Sequence, residues 1–236
     1  MINLKNKKLL VIAAHPDDEV LGCGGLISKI KDAGGKVFVL FLTNGTTQDF
    51  STRGLSIEKE RRDEIKKVAK FLNYDGYKIA FPGDDHHLKL DTVPQKHIIH
   101  EIERGEEISL EATKPDIVAF HSSSDYNQDH FAGAKAAFTA CRPAERSNKF
   151  MPDIVLSFEE PMDIWSHGNP TKLNFYVELT SAQINKKIKA LRLYKSQMRV
   201  AGNPRSVEVI KSLAIFRGSA IGSHFAEAFY NHKTQL

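Results

Sequence analysis

Two short stretches carry residues whose types and spacing can do chemistry. The first, His15-Pro16-Asp17-Asp18-Glu19, follows an apolar run over residues 9–14. The second, Asp125-Tyr126-Asn127-Gln128-Asp129-His130, comes shortly after another apolar run that closes on His121. Neutral imidazole and carboxylate are common zinc ligands, and a catalytic zinc takes three protein ligands and leaves one position for water. His15 and Asp18 are candidate ligands, and Pro16 stiffens the turn that would aim them. Asp17, beside a ligand, could then reach the water instead, as a general base for hydrolysis. His130 completes a His-Asp-His triad if the two loops lie on one sheet edge. Either stretch alone also reads as an acidic helix start, favoured by capping and the helix dipole. That both follow predicted strands is what favours a site.

The elements that must hold these loops are legible in outline. Residues 9–14 and 36–43 read as strands buried on both faces, with a helix over 20–33 that Gly34-Gly35 stops. Residues 57–72 carry one apolar helical stripe. A short strand over 78–81, a helix over 92–112, a strand over 117–121 and a helix from 130 to 141 follow. Beyond them, "DIVLSF" and "NFYVEL" read as strands, 181–197 as a helix capped by Thr180 or Ser181, and 206–216 as another. Alternation of this kind predicts an α/β, Rossmann-like fold: a mostly parallel sheet flanked by helices, with a less regular C-terminal part completing the same domain. Residues 1–236 are expected to form that one domain, because no linker, repeat or low-complexity tract interrupts them. Sites in such sheets lie beyond the C-terminal strand ends, where strand order reverses.

Composition narrows the class. The formal net charge is only +4, with basic residues scattered among acids, so neither nucleic acid nor a membrane surface is an expected partner. Cys23 and Cys141 have no metal or redox spacing and fit free thiols in a reducing cytosol. The N-terminal apolar run is too short for a signal peptide or membrane span, so a cytoplasmic location is the expectation.

The motifs also resemble a family. "AHPDDE" after the first strand and D-x-N-x-D-H after a later one are similar to the PIG-L/LmbE-like zinc-dependent N-deacetylases. The likeness extends to "TNG" from Thr43, "ERRDEIKKVAKFL" from Glu60, "FPGDD" from Phe81 and "FRGSAIGSHFAEAF" from Phe216. It implies a hydrolase that removes acetyl from an N-acetylglucosamine-type sugar or its conjugate. His15, Asp18 and His130 would hold Zn2+, other divalent cations being compatible. Asp17 would be the general base. Arg61 or Arg62 would lie near the sugar, and Asp84 or Asp85 would bond its hydroxyls. The plain reading of the arginines is solvated helix charge, and of the two acids a turn. The expected partner is a small N-acetylated sugar or conjugate.

One position departs from the pattern. Many members have a histidine three residues before the last ligand, where this chain has Asn127. An amide can donate to an oxyanion but cannot shuttle a proton at neutral pH. The acid step then falls to Asp17 or to a group such as His121, which can equally orient a ligand or simply end its strand. Asn127 also keeps alive a second reading, a zinc- or sugar-binding protein without turnover. A nucleotide-binding Rossmann protein fits poorly, since "GCGG" from Gly22 falls inside the helix rather than in the first turn. Trp165, His167 and Asn169 can line a sugar site, although a lone Trp is commonly a packing residue. The Gly-rich C-terminal stretch either closes the pocket or makes a homo-oligomer contact.

Overall fold

The computed structural model describes residues 2–49, 53–166 and 172–235. Its strands are β1 (Lys8–Ala13), β2 (Lys36–Asn44), β3 (Thr47–Gln48), β4 (Leu55–Ser56), β5 (Gly76–Pro82), β6 (Ile117–His121), β7 (Ile154–Phe158), β8 (Phe175–Leu179) and β9 (Phe225–Thr234). Its helices are α1 (Asp18–Asp32), α2 (Glu58–Leu72), α3 (Gln95–Arg104), α4 (Leu110–Thr113), α5 (Gln128–Ala140), α6 (Ser181–Leu191) and α7 (Val207–Ser219). The main sheet has the order β5-β2-β1-β6-β7-β9-β8, and β3 pairs with β4 in a small separate ribbon. Neighbours from β5 through β7 are parallel, whereas β9 is antiparallel to both β7 and β8.

Burial on both faces explains the continuous apolar strands. Along β1, Leu9, Val11 and Ala13 pack into one core with residues of α1 and α2, while Leu10 and Ile12 pack into a second with residues of α3 and α5. Successive side chains of a strand point to opposite faces, so a strand covered twice has no polar side to show. The order of connection reverses between β1 and β6: one side of β1 continues into β2 and β5, the other side is β6 and β7. The crevice above those two strand ends is the place for a ligand in this architecture.

The helix expected over 92–112 is broken. A 3-10 turn at Leu90–Thr92 is followed by α3, which stops before Gly105, and α4 is a separate short helix capped by Ser109. Pro94 and Gly105 are the breakers at either end of α3. The helix expected over 181–197 ends at Leu191, although Tyr194 just beyond it is fully buried.

The C-terminal stretch neither covers the cavity nor stays irregular. Its "AEAF" portion is the inner strand β9. Glu227 of β9 accepts the backbone N–H groups of Gly25 and Leu26 of α1, each at 2.7 Å. Lys187 of α6 pairs with the same carboxylate at 2.7 Å and donates to the carbonyl of Leu21 at 2.7 Å. Leu21 C=O and Gly25 N–H are groups that a regular helix would pair with each other. Here a buried ion pair grips α1 at its glycines and ties it to β9. A Cβ on Gly22 would lie 2.2 Å from the Phe158 ring, so the first of those glycines is what lets α1 sit this close to β7.

Candidate active site

The loops after β1 and β6 meet at a point. His15 Nδ1 lies 3.2 Å from His130 Nε2. The Asp18 carboxylate oxygen Oδ2 is 3.5 Å from the first of these nitrogens and 3.4 Å from the second. Tetrahedral zinc, with bonds of about 2.0–2.1 Å, sets neighbouring ligand atoms roughly 3.3–3.4 Å apart. The triangle therefore fits a tetrahedral cation with one vertex left over. Two imidazoles and one carboxylate suit zinc and several other first-row ions.

Each histidine is oriented from behind by a carboxylate. His15 Nε2 meets Asp129 Oδ2 at 2.9 Å, and His130 Nδ1 meets Asp125 Oδ2 at 2.6 Å. The ring proton belongs on the nitrogen facing the carboxylate, which leaves His15 Nδ1 and His130 Nε2 as lone-pair ligands. Asp129 is itself fixed, because it accepts the backbone N–H groups of Leu88 and Leu90, each at 2.8 Å. Burial would lower the His130 pKa, but Asp18 and Asp125 outweigh it and raise it to about 8. Burial likewise works to raise Asp18, and the imidazoles of His130, His121 and His15 hold it well below the usual carboxylate range. The protein thus supplies an ionised carboxylate beside positive charge, the arrangement a bound cation would reinforce.

His121, at the end of β6, lies against two of the three candidate ligands. Its Nε2 accepts the Ala14 N–H at 2.9 Å and lies 3.2 Å from Asp18 Oδ2, while its ring stacks on His130 with centroids 3.9 Å apart. It is buried and does not line the cavity described below.

Asp17 is buried at the N-cap of α1, in the left-handed region at φ 101°. A non-glycine residue there is strained and must be held by its surroundings. Its N–H donates to Glu19 Oε2 at 3.1 Å. Burial pushes its carboxyl up to about 6, against the pull of Arg205, with Asp18 pushing further up and Arg61 down. Its Oδ1 makes no hydrogen bond. Asn127 is the N-cap of α5, its Oδ1 accepting from the N–H groups of Asp129 at 2.9 Å and His130 at 3.4 Å. With the oxygen so engaged, the NH2 end is what the side chain can offer a substrate.

A cavity of about 360 Å³ opens here, lined by His15, Asn127, Arg61, His87, Arg199 and Arg205 among others. A somewhat larger crevice, about 440 Å³, lies at the far end of the sheet beside Lys7 and Arg146 and contains none of the candidate residues. Arg61 is buried and donates to Thr47 Oγ1 at 3.0 Å and Pro16 O at 3.4 Å, and lies 2.9 Å from His87 Nε2.

Arg62 does not share that position. It lies on the exposed face of α2 and pairs with Glu58 one turn away. Asp84 and Asp85 are corrected as well: both are exposed and off the cavity wall, and Asp84 accepts the Thr46 N–H at 2.6 Å to pin two loops together. Trp165 is 77% exposed and outside the cavity, while His167 and Asn169 lie outside the described residues. Sequence reasoning missed His87, Glu19, Gln197 and Arg205. A histidine in a loop on the correct sheet edge was the signal available for His87. Arg205 comes from the loop before α7 and has no local signature.

The model of the PIG-L family, described as GlcNAc-PI de-N-acetylase, matches residues 10–141. Diacetylchitobiose deacetylase of Thermococcus kodakarensis is 27% identical, over 94% of this chain and 81% of its own. Among solved structures, N,N'-diacetylchitobiose deacetylase of Pyrococcus horikoshii superposes with a TM-score of 0.67 at 21% identity, covering 95% of this chain and 83% of that one. GalB, the 4-carboxy-2-hydroxymuconate hydratase of Pseudomonas putida KT2440, superposes with a TM-score of 0.72 at 20% identity, covering 98% of each chain. The two superpositions establish the fold, and a fold shared by a deacetylase and a hydratase leaves the reaction to be argued from the site.

Proposed function

This chain belongs to the PIG-L family, and from that premise we propose that it hydrolyses the acetamide of an N-acetylated amino sugar or sugar conjugate. The observation that carries the reading is the His15–Asp18–His130 triangle, set beside the unpartnered carboxylate oxygen of Asp17, with His15 lining the adjoining cavity. His15, Asp18 and His130 would hold zinc or a similar divalent ion. Such an ion, when bound, makes water more acidic and polarises a carbonyl group.

The chain's own groups do the rest. Asp17, when ionised, accepts a proton from the attacking water as its oxygen adds to the acetamide carbon. The same carboxyl returns that proton to the nitrogen as the C–N bond breaks, so that acetate and the free amine leave. This double duty is required because the NH2 of Asn127 can donate a hydrogen bond but has no proton to lose near neutrality. His121 has its Nε2 on the Ala14 N–H and beside Asp18 and its Nδ1 3.4 Å from Glu160, and this reading gives it no part in the transfer. Arg61 ties His87, Thr47 and the Pro16 carbonyl into one wall, which fixes the turn that carries Asp17.

The test is an acetate-release screen with metal-replete protein over N-acetylglucosamine conjugates that differ in aglycone. Equal amounts of acetate and free amine from at least one conjugate are expected. Metal-loaded protein that binds these sugars and releases no acetate would establish the binding-protein reading instead.

A further inference from the structure

The cavity presents three guanidinium groups, and two of them make several hydrogen bonds to the protein. Arg61 donates through its Nη atoms to Thr47 Oγ1 and the carbonyls of Gly45 and Pro16 and lies against His87, although its Nε, like that of Arg205, is buried without a hydrogen bond. Arg199 donates to the carbonyls of Ser196 and Met198 and pairs with Asp49 at 2.7 Å. Arg205 differs. Among the described residues the only hydrogen bond of its guanidinium runs from Nη1 to Gln197 Oε1, at 3.0 Å. Its Nε is buried, makes no hydrogen bond and lies 3.9 Å from Asp17 Oδ2.

This group is held with some care. Gln197 Nε2 donates to Ser56 Oγ at 3.3 Å and to Ser196 Oγ at 3.0 Å. Ser196 in turn donates through Oγ and N–H to the Glu64 carboxylate of α2, at 2.7 and 2.9 Å. Glu64, Ser196, Gln197 and Ser56 are all buried. Such a network is costly unless every member is satisfied, and once satisfied it is rigid. Its outer end is a guanidinium with donors to spare, fixed beside the carboxylate assigned as base. On the backbone side, Arg205 N–H donates to Asn203 Oδ1 at 2.9 Å, and the next residue, Ser206, caps α7.

Resting on the deacetylase reading above, we propose that Arg205 is a catalytic residue: Nε–H and the second Nη donate to the acetamide oxygen as it gains negative charge during water attack. A fixed donor aimed at developing charge accelerates a reaction more than it tightens substrate binding. Asn127 cannot bring positive charge to that oxygen; Arg205 can. The group forms no bond and moves no proton. It stays a cation throughout and returns unchanged.

The experiment uses the metal-loaded full-length chain and a conjugate that the wild type deacetylates. For Arg205→Ala, kcat should fall about 100-fold, the scale of losing one oxyanion donor. KM should stay within about 3-fold, the signature of a contact made only in the transition state. Arg205→Lys should recover part of the loss, and millimolar guanidinium ion should partly rescue Arg205→Ala. Metal content and thermal midpoint are measured alongside. An Arg205→Ala variant with wild-type kcat, or with a change confined to KM, would overturn the proposal, the latter marking Arg205 as an anchor for substrate. If Arg205→Ala does not fold, Gln197→Ala leaves the guanidinium in place but unhinged: a drop in kcat supports the role, and an unchanged kcat rejects it. Wild-type protein that releases no acetate fails before any substitution is made, which separates failure of the deacetylase reading from failure of this one.

Discussion

The Tyr194 hydroxyl donates to Glu19 Oε1 at 2.6 Å, immediately behind the turn that carries Asp17. Tyr74 donates to the same oxygen at 3.1 Å, and the other carboxyl oxygen accepts the Asp17 N–H at 3.1 Å. Burial pushes the Glu19 carboxyl up to about 8, against the two tyrosine hydroxyls. Two tyrosines from distant parts of the chain therefore brace one acid, and that acid braces a strained residue. Replacing Tyr194 by Phe removes one donor while keeping the ring. A loss of about 1 kcal/mol in unfolding free energy is expected, the usual net worth of a buried hydrogen bond, read from urea denaturation.

Metal binding and turnover should separate by residue. His15→Ala and His130→Ala each remove one corner of the triangle, and metal content after dialysis should drop to background. Asp17→Asn should retain the ion, since Asp17 is not a corner, and lose about 10²–10⁴-fold in kcat, the range for a general base. Full occupancy in either histidine variant would refute the ligand assignment.

Asp129 is expected to matter without touching the ion. It sets the proton of His15 and anchors the backbone of residues 88 and 90. Asp129→Asn should weaken metal affinity about 10–100-fold, the usual effect of removing a carboxylate behind a ligating histidine. Competition with a fluorescent chelator measures it.

As the proposed base, Asp17 should give the pH profile its acidic limb. The base works only when ionised, and burial places its pKa at about 6, above the ordinary aspartate value. kcat/KM should therefore be level above that pH and fall tenfold per pH unit below it, as protonation removes the base. A profile flat from pH 7 to 5 would remove Asp17 from that role.

Asn127 separates its two tasks by substitution. Asn127→Asp keeps an oxygen to cap α5 and loses the NH2 donor, so thermal stability should hold while kcat drops. Asn127→Ala loses both, and should cost about 1 kcal/mol of stability as well, the typical value of an N-cap. Thermal midpoints and acetate release on the pair of variants distinguish capping from donation.

The strands were readable because both faces of the sheet are covered and leave uninterrupted apolar runs, as in β1 and β6. The candidate triangle was readable because its corners sit in the two strand-to-helix connections that the topological switch brings together, two, five and nine residues beyond a strand end. Long-range polar contacts left no such trace. Arg205 reaches Asp17 from the loop before α7, and its support passes through Gln197 and Ser196 to Glu64 on α2. Nothing in the neighbours of Arg205 in the sequence announces that route. For Asp84 and Asp85 the sequence left a sugar contact and a turn role both open; both are exposed, and Asp84 accepts the Thr46 N–H. Strand β9 was hidden by its glycine-rich approach, since the pairing that makes "AEAF" a strand lies with β7 and β8 and not in its own composition.

The two backbone bonds from Asp129 to residues 88 and 90 bear on how the enzyme could acquire new substrates. Because the carboxylate that orients His15 also tethers this stretch, insertions or exchanges there would disturb the metal corner before they altered selectivity. Ala201 is exposed and, among the described residues, makes no hydrogen bond to a candidate ligand, whereas its neighbour Asn203 holds the Arg205 backbone. Natural divergence and laboratory libraries alike should find tolerated variation at Ala201, with the 88–90 segment changing least.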